Sequence, residues 1–114
     1  MLLSQDYLRR TVLASKDGPN TPTIPLILAM LEAGKELCEV IILEGILRAD
    51  WYKPVWHYLQ HDFPGQVLAY YYDLTFEETL RRHHSRDLVS AFGADRMKEW
   101  FVRRTSSRRY LKKA

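Results

Sequence analysis

The residues of this chain best placed to do chemistry are acids that stand where apolar runs stop. Residues 40–43 are aliphatic without polar alternation, and the run breaks at Glu44 and Gly45. An unalternated run of this kind reads as a strand covered on both faces, and the carboxyl end of such a strand is where open α/β sheets bind ligands. Asp6 closes the apolar start of the chain in the same way, and Asp73 follows the tyrosine run 70–72. Each acid also has a purely structural reading. Glu44 can end a buried strand before Gly45 turns the chain, and Asp6 is a good N-cap for a following helix. Other polar candidates are weaker. His83 and His84 are adjacent and so point to different sides of a helix, which disfavours a zinc pair, and Arg82 and Arg86, four apart, can be solvated charges on a helix end. Cys38 follows Leu37 and reads as a small buried hydrophobe on an apolar helix face; one cysteine allows neither an internal disulfide nor a cysteine cage.

The elements that must position these residues alternate. Residues 1–6 read as a short strand, 7–13 as a short helix carrying Arg9 and Arg10, and 16–22 as a loop from their Gly, Pro and Asn content. Leu26, Ile27, Met30, Leu31 and Leu37 recur at helical spacing over 24–37, with Pro25 tolerated in the first turn. The central strand spans 40–47. Asp50 is placed to cap a helix running through Trp51, Val55, Tyr58 and Leu59, and Pro64-Gly65 turns the chain into a third strand over 66–74. Thr75 and Glu78 form a capping box for a helix reaching His84. Residues 85–93 lack periodicity, and 95–104 read as a last helix with Met97, Trp100 and Phe101 on one side. Strands alternating with helices around a nearly all-apolar strand indicate α/β with a parallel sheet.

Composition narrows the class. A chain of 114 residues with 46% hydrophobic and 27% charged residues is one globular domain, not a disordered chain. No apolar run approaches the ~20 residues a membrane-spanning helix needs, and no basic-then-apolar leader opens the sequence, so a cytoplasmic location is expected. The net charge of +3 is uneven, because six of the 17 basic side chains and none of the 14 acids lie in residues 103–114. That segment reads as a solvated, poorly ordered tail. It contains no recognisable nucleic-acid module, and specific nucleic-acid binding is not expected.

Taken in order, "LLSQDYLRR", "DGPNT", "VIILEGIL", "DWY", "YYYDLTFEETLRRHHSR" and "FGADRMKEW" resemble the small P-loop kinases of the zeta-toxin and chloramphenicol-phosphotransferase type, especially a bacterial group of uridine-kinase-like ATPases. The resemblance covers residues 2–102. It implies a three-layer α/β/α parallel sheet, ATP and Mg²⁺ as cofactors, and phosphoryl transfer to a small hydroxylated substrate. Asp6 then resembles the acid that accepts a proton from, or hydrogen-bonds, the substrate hydroxyl, with Arg9 or Arg10 steering an anionic substrate group. Glu44 resembles the acid that orients a water on Mg²⁺ or contacts the substrate. Arg82 and Arg86 resemble lid arginines that close over the nucleotide, Arg86 with a catalytic part in neutralising charge on the phosphates.

The departures are equally specific. The family begins with a strand and a GxxxxGK loop followed by Ser or Thr, and no such run occurs here. Met1 falls where the second strand would start, so the first, central strand and phosphate loop are expected to be missing, and residues 103–114 supply no fifth strand. The expectation is a partial P-loop kinase domain over 1–102 with a basic tail over 103–114, inactive alone, whose unpaired strand edges favour self-association. The alternative is a non-catalytic remnant or partner-binding α/β domain.

Overall fold

The computed structural model describes residues 1–71, 74–84 and 112–113. It is a mixed α/β structure in two compact units, 1–67 and 68–114. In the first unit β1 (Leu2–Ser4) runs into a turn of helix, α1 (Gln5–Tyr7), which continues as a π-helical turn over Leu8–Val12. Then come α2 (Thr23–Leu37), β2 (Ile42–Glu44) and α3 (Lys53–Asp62). The second unit holds β3 (Tyr70–Tyr71), α4 (Phe76–His84) and β4 (Lys112–Lys113).

β1 and β2 are parallel, with Leu2 opposite Ile42, Leu3 opposite Leu43 and Ser4 opposite Glu44. Parallel neighbours need a long crossover, and α2 supplies it. The helix buries Ile24, Ile27, Leu31 and Gly34, a three-and-four spacing that makes one stripe. Leu3, Leu8, Ala49, Tyr52, Val55 and Trp56 are the other buried apolar residues of the core among the described residues. Gly34 lets α2 approach closely: a Cβ there would come within 2.7 Å of Ile41 Cδ1 and would displace the ends of the Ile41 and Met1 side chains. A clamp ties α2 to α3. Lys35 Nζ lies 2.6 Å from Asp62 Oδ2 and 3.1 Å from Glu32 Oε2, and faces the rings of Tyr58 and Phe63 at 5.1 and 5.5 Å. Tyr58 donates its hydroxyl hydrogen to Glu32. The hydrogen bond to Asp62 leads in raising the Lys35 pKa, and the bond from Lys35 leads in lowering that of Asp62.

Several sequence expectations are corrected here. The strand expected over 40–47 is three residues long, and it is covered on one face only. Val40 is 66% exposed and Ile42 56%, whereas Leu43 is half-buried. Its strand partner among the described residues is β1 alone, so Leu2 and Ile42 share an outer face while Leu3 turns into the core. Apolar composition here does not mean burial on both sides. The expected strand over 66–74 is found at Tyr70–Tyr71, with 67–69 irregular and Tyr72 and Asp73 outside the described residues. Lys112–Lys113, within the segment read as a strandless tail, pair in parallel with Tyr70–Tyr71.

Caps also differ. Ser4 Oγ, not the Asp6 carboxylate, accepts the Tyr7 N–H that opens α1. The helix expected over 7–13 is a π turn, Leu13 N donating to Leu8 O at 2.9 Å. Asp50 does not cap α3; its two oxygens take Arg48 Nε and Nη2 at 3.1 and 2.6 Å, a bidentate charge-assisted pair stronger than a bond to a neutral backbone N–H. Cys38 is only half-buried and sits in extended conformation at the end of α2. The second unit keeps half of its capping box. Thr75 Oγ1 accepts Glu78 N–H at 3.1 Å, but the Glu78 side chain turns forward to Arg81 and Arg82, because two guanidinium donors compete better than one backbone N–H. The connection over 85–93 and the helix expected over 95–104 lie outside the described residues.

Candidate functional site at the carboxyl ends of β1 and β2

Parallel pairing brings Ser4 level with Glu44, so the chain beyond both strands emerges on one side. Gln5 follows β1 directly and Gly45 follows β2. Gly45 has φ +135°, and a Cβ on it would meet Gln5 Cβ at 2.7 Å and Gln5 Oε1 at 3.1 Å. The glycine between the predicted strand and its turn is thus what lets the two strand ends close together.

Asp6 lies next, in the first turn of α1, its side chain 58% exposed. Its Oδ1 accepts from Arg9 Nη2 and from Arg10 Nε, both at 2.8 Å, while Oδ2 accepts no hydrogen bond among the described residues. One turn of helix places i+3 and i+4 side chains beside the acid, so the Asp-x-x-Arg-Arg spacing alone produces this fork. The arginines differ. Arg10 is exposed, whereas Arg9 is 16% exposed and its Nε is buried with no hydrogen-bond partner among the described residues.

Behind this fork runs a buried polar chain absent from the site residues read in the sequence. Gln5 Nε2 donates to Tyr52 Oη at 2.8 Å, Tyr52 Oη donates to Asp17 Oδ1 at 2.8 Å, and the Gly18 N–H donates to the same oxygen at 3.0 Å. Tyr52 is fully buried. Burial, then the bond to Asp17, pushes its pKa up, against smaller opposing effects of Gln5 and the nearby Arg9 charge. Tyr52 thereby joins three separate stretches: the end of β1, the 14–20 loop and the start of α3. Its sequence signal was only its place in "DWY"; Asp17 likewise stands in "DGPNT".

The chain matches no family model, no curated protein and no solved structure. The geometry therefore carries the functional reading. Of the residues singled out in the sequence, Asp6, Arg9 and Arg10 are brought together. Glu44 is exposed at the end of β2, opposite Ser4, with no ion pair among the described residues. Arg82 lies on α4 in the second unit, its Nε 2.8 Å from Glu78 Oε1. Arg86 lies outside the described residues. His83 is buried and its ring is 6.2 Å from that of His84, tilted by 49°. Among the described residues no three His, Cys, Asp or Glu side chains gather to hold a metal ion, and no helix is long and apolar enough to cross a membrane.

Proposed function

We propose that this chain supplies the acceptor side of a phosphotransferase site of the small P-loop kinase type, on what becomes a three-layer α/β/α parallel sheet. The observation that carries the reading is the pair of parallel strands with Glu44 closing one and the Asp6–Arg9–Arg10 fork following the other. A hydroxylated small molecule is the acceptor. Asp6 Oδ2 accepts the hydrogen of its hydroxyl, with Oδ1 held by two arginines so that the carboxylate keeps one orientation. Arg9, mostly buried, offers charge to an anionic group of the same molecule. Mg-ATP, when bound, supplies the phosphoryl group. The sequence holds no GxxxxGK run followed by Ser or Thr to cradle its phosphates, and Glu44 is the one carboxylate at the described strand ends that carries no ion pair, too little to hold Mg²⁺ alone. The part of the reaction assigned to this chain is therefore confined to the acceptor.

The test is phosphoryl transfer from labelled ATP to a panel of small hydroxylated compounds, in this chain and in the chain carrying a grafted strand and phosphate loop. Turnover is expected only in the second, and Asp6→Asn is expected to lower it by about 100-fold or more with the fold intact. Arg86→Ala is expected to lower it too. Wild-type turnover in both variants would sink the proposal.

A second reading, a partner-binding α/β domain, rests on the exposed outer face of the β1–β2 sheet, where Leu2 is 66% exposed beside Ile42. It predicts no phosphoryl transfer in either form of the protein.

A further inference from the structure

Residues 14–20 lie between the π turn and α2, bounded by two non-glycine residues with left-handed backbone: Ala14 at φ 48° and Asn20 at φ 57°. The conformation is strained for Ala14 and persists when surrounding structure holds it, whereas asparagine adopts it readily as a turn residue. Within the segment the bonds are local. Ser15 N reaches Arg9 O at 2.9 Å, Ser15 Oγ reaches Lys16 O at 3.1 Å, and Thr21 Oγ1 closes on Gly18 O at 3.1 Å. Among the described residues one long-range hydrogen bond fastens the segment, from Tyr52 Oη to Asp17 Oδ1. Gly18 beneath it is buried, whereas Lys16, Pro19 and Asn20 are exposed.

We infer that residues 14–20 form a strap latched by Tyr52 over the end of β1, which swings open about Ala14 and Asn20 when the Tyr52–Asp17 bond breaks. The arrangement has the parts a two-position element needs: strain at Ala14, a turn residue at Asn20, a single long-range tie in the middle, and exposed residues at Lys16, Pro19 and Asn20. The tie does more than hold a loop. Tyr52 also receives the hydrogen bond of Gln5, so the closed strap and the orientation of the residue beside Asp6 are set by one hydroxyl. The inference is independent of phosphoryl transfer.

Hydrogen exchange of the whole chain, resolved by residue, tests it in Tyr52→Phe and Asp17→Ala. Tyr52→Phe keeps the ring in the core and the Asp17–Gly18 bond; Asp17→Ala keeps every core side chain and the Gln5–Tyr52 bond while removing the acceptor of the Tyr52 hydroxyl and of the Gly18 N–H. Exchange at Ser15, whose N–H is held by Arg9 O, is expected to quicken by about tenfold or more in both, and in Asp17→Ala by more than at the helical amides of Ile27 and Leu31. If Tyr52→Phe loosens the whole unit, Asp17→Ala decides. Unchanged exchange at Ser15 in Asp17→Ala, or equal acceleration at Ile27 and Leu31, would overturn the strap.

Discussion

Tyr52 Oη stands 2.8 Å from Asp17 Oδ1, a bond that spans 35 positions of sequence and ends on a tyrosine with no exposed surface. A hydroxyl so placed has no water to fall back on, so its partners decide whether the burial is tolerated. Removing it strands Gln5 Nε2, and Tyr52→Phe is expected to cost about 1–3 kcal/mol in urea unfolding.

The same residue predicts alkaline behaviour. Its folded pKa is raised above the ordinary value of 10.0, so its contribution is present below pH 10 and is lost as pH rises beyond it, when the unfolded chain ionises and the folded one does not. Wild-type stability should fall more steeply above pH 10 than that of Tyr52→Phe. Parallel curves from urea unfolding at pH 8 to 11 would contradict the assignment.

Two glycines with left-handed backbone give a controlled comparison. Gly45→Ala adds a steric clash with Gln5 to the cost of its φ of +135°, whereas at Gly65, φ +73°, no atom lies within 4 Å of an added Cβ. Gly65→Ala should cost about 1 kcal/mol and Gly45→Ala distinctly more, about 2–4 kcal/mol, in matched denaturant titrations.

At Glu78 the prediction concerns acid. The guanidinium of Arg81, then that of Arg82, lowers its carboxyl from 4.5 to about 2, so the support it gives α4 is present above pH 4.5 and is lost as pH falls toward 2. The side-chain carboxyl carbon followed by NMR should titrate near 2 and move back toward 4.5 in Arg81→Ala combined with Arg82→Ala. These groups face solvent, so high salt should narrow the difference.

The outer face of the β1–β2 sheet predicts association. Ile42→Thr, at an exposed strand position, should change stability by less than about 0.5 kcal/mol. Sedimentation at rising concentration should show the wild type associating more than this variant. Two monomeric proteins would remove the case for the apolar face as a contact surface.

Short-range features were legible in the residues themselves. Helix α2 and the Thr75 cap follow from helical spacing. Of the five apolar residues that spacing marks in α2, however, only Ile27 and Leu31 are buried and Leu37 is 76% exposed. The arginines read as steering an anionic group are paired with Asp6. Parallel pairing of the first two strands was legible too, from the long crossover between them. What composition could not say is which neighbours a strand has. Residues 40–43 look like a strand buried on both faces, yet with β1 as its strand partner among the described residues it covers one face and leaves Val40 and Ile42 in solvent. Capping was decided by where α3 starts and by donors close in space: α3 opens at Lys53 with Tyr52 at its N-cap, two positions past Asp50, and the Glu78 side chain goes to Arg81 and Arg82. The Gln5–Tyr52–Asp17 chain belongs wholly to tertiary structure, because its members lie 47 and 35 positions apart and acquire a common environment only when Tyr52, at the start of α3, reaches the residue that follows β1. Local spacing fixes angles along one helix; the burial that makes a hydroxyl depend on its partners arises only when distant segments exclude water together.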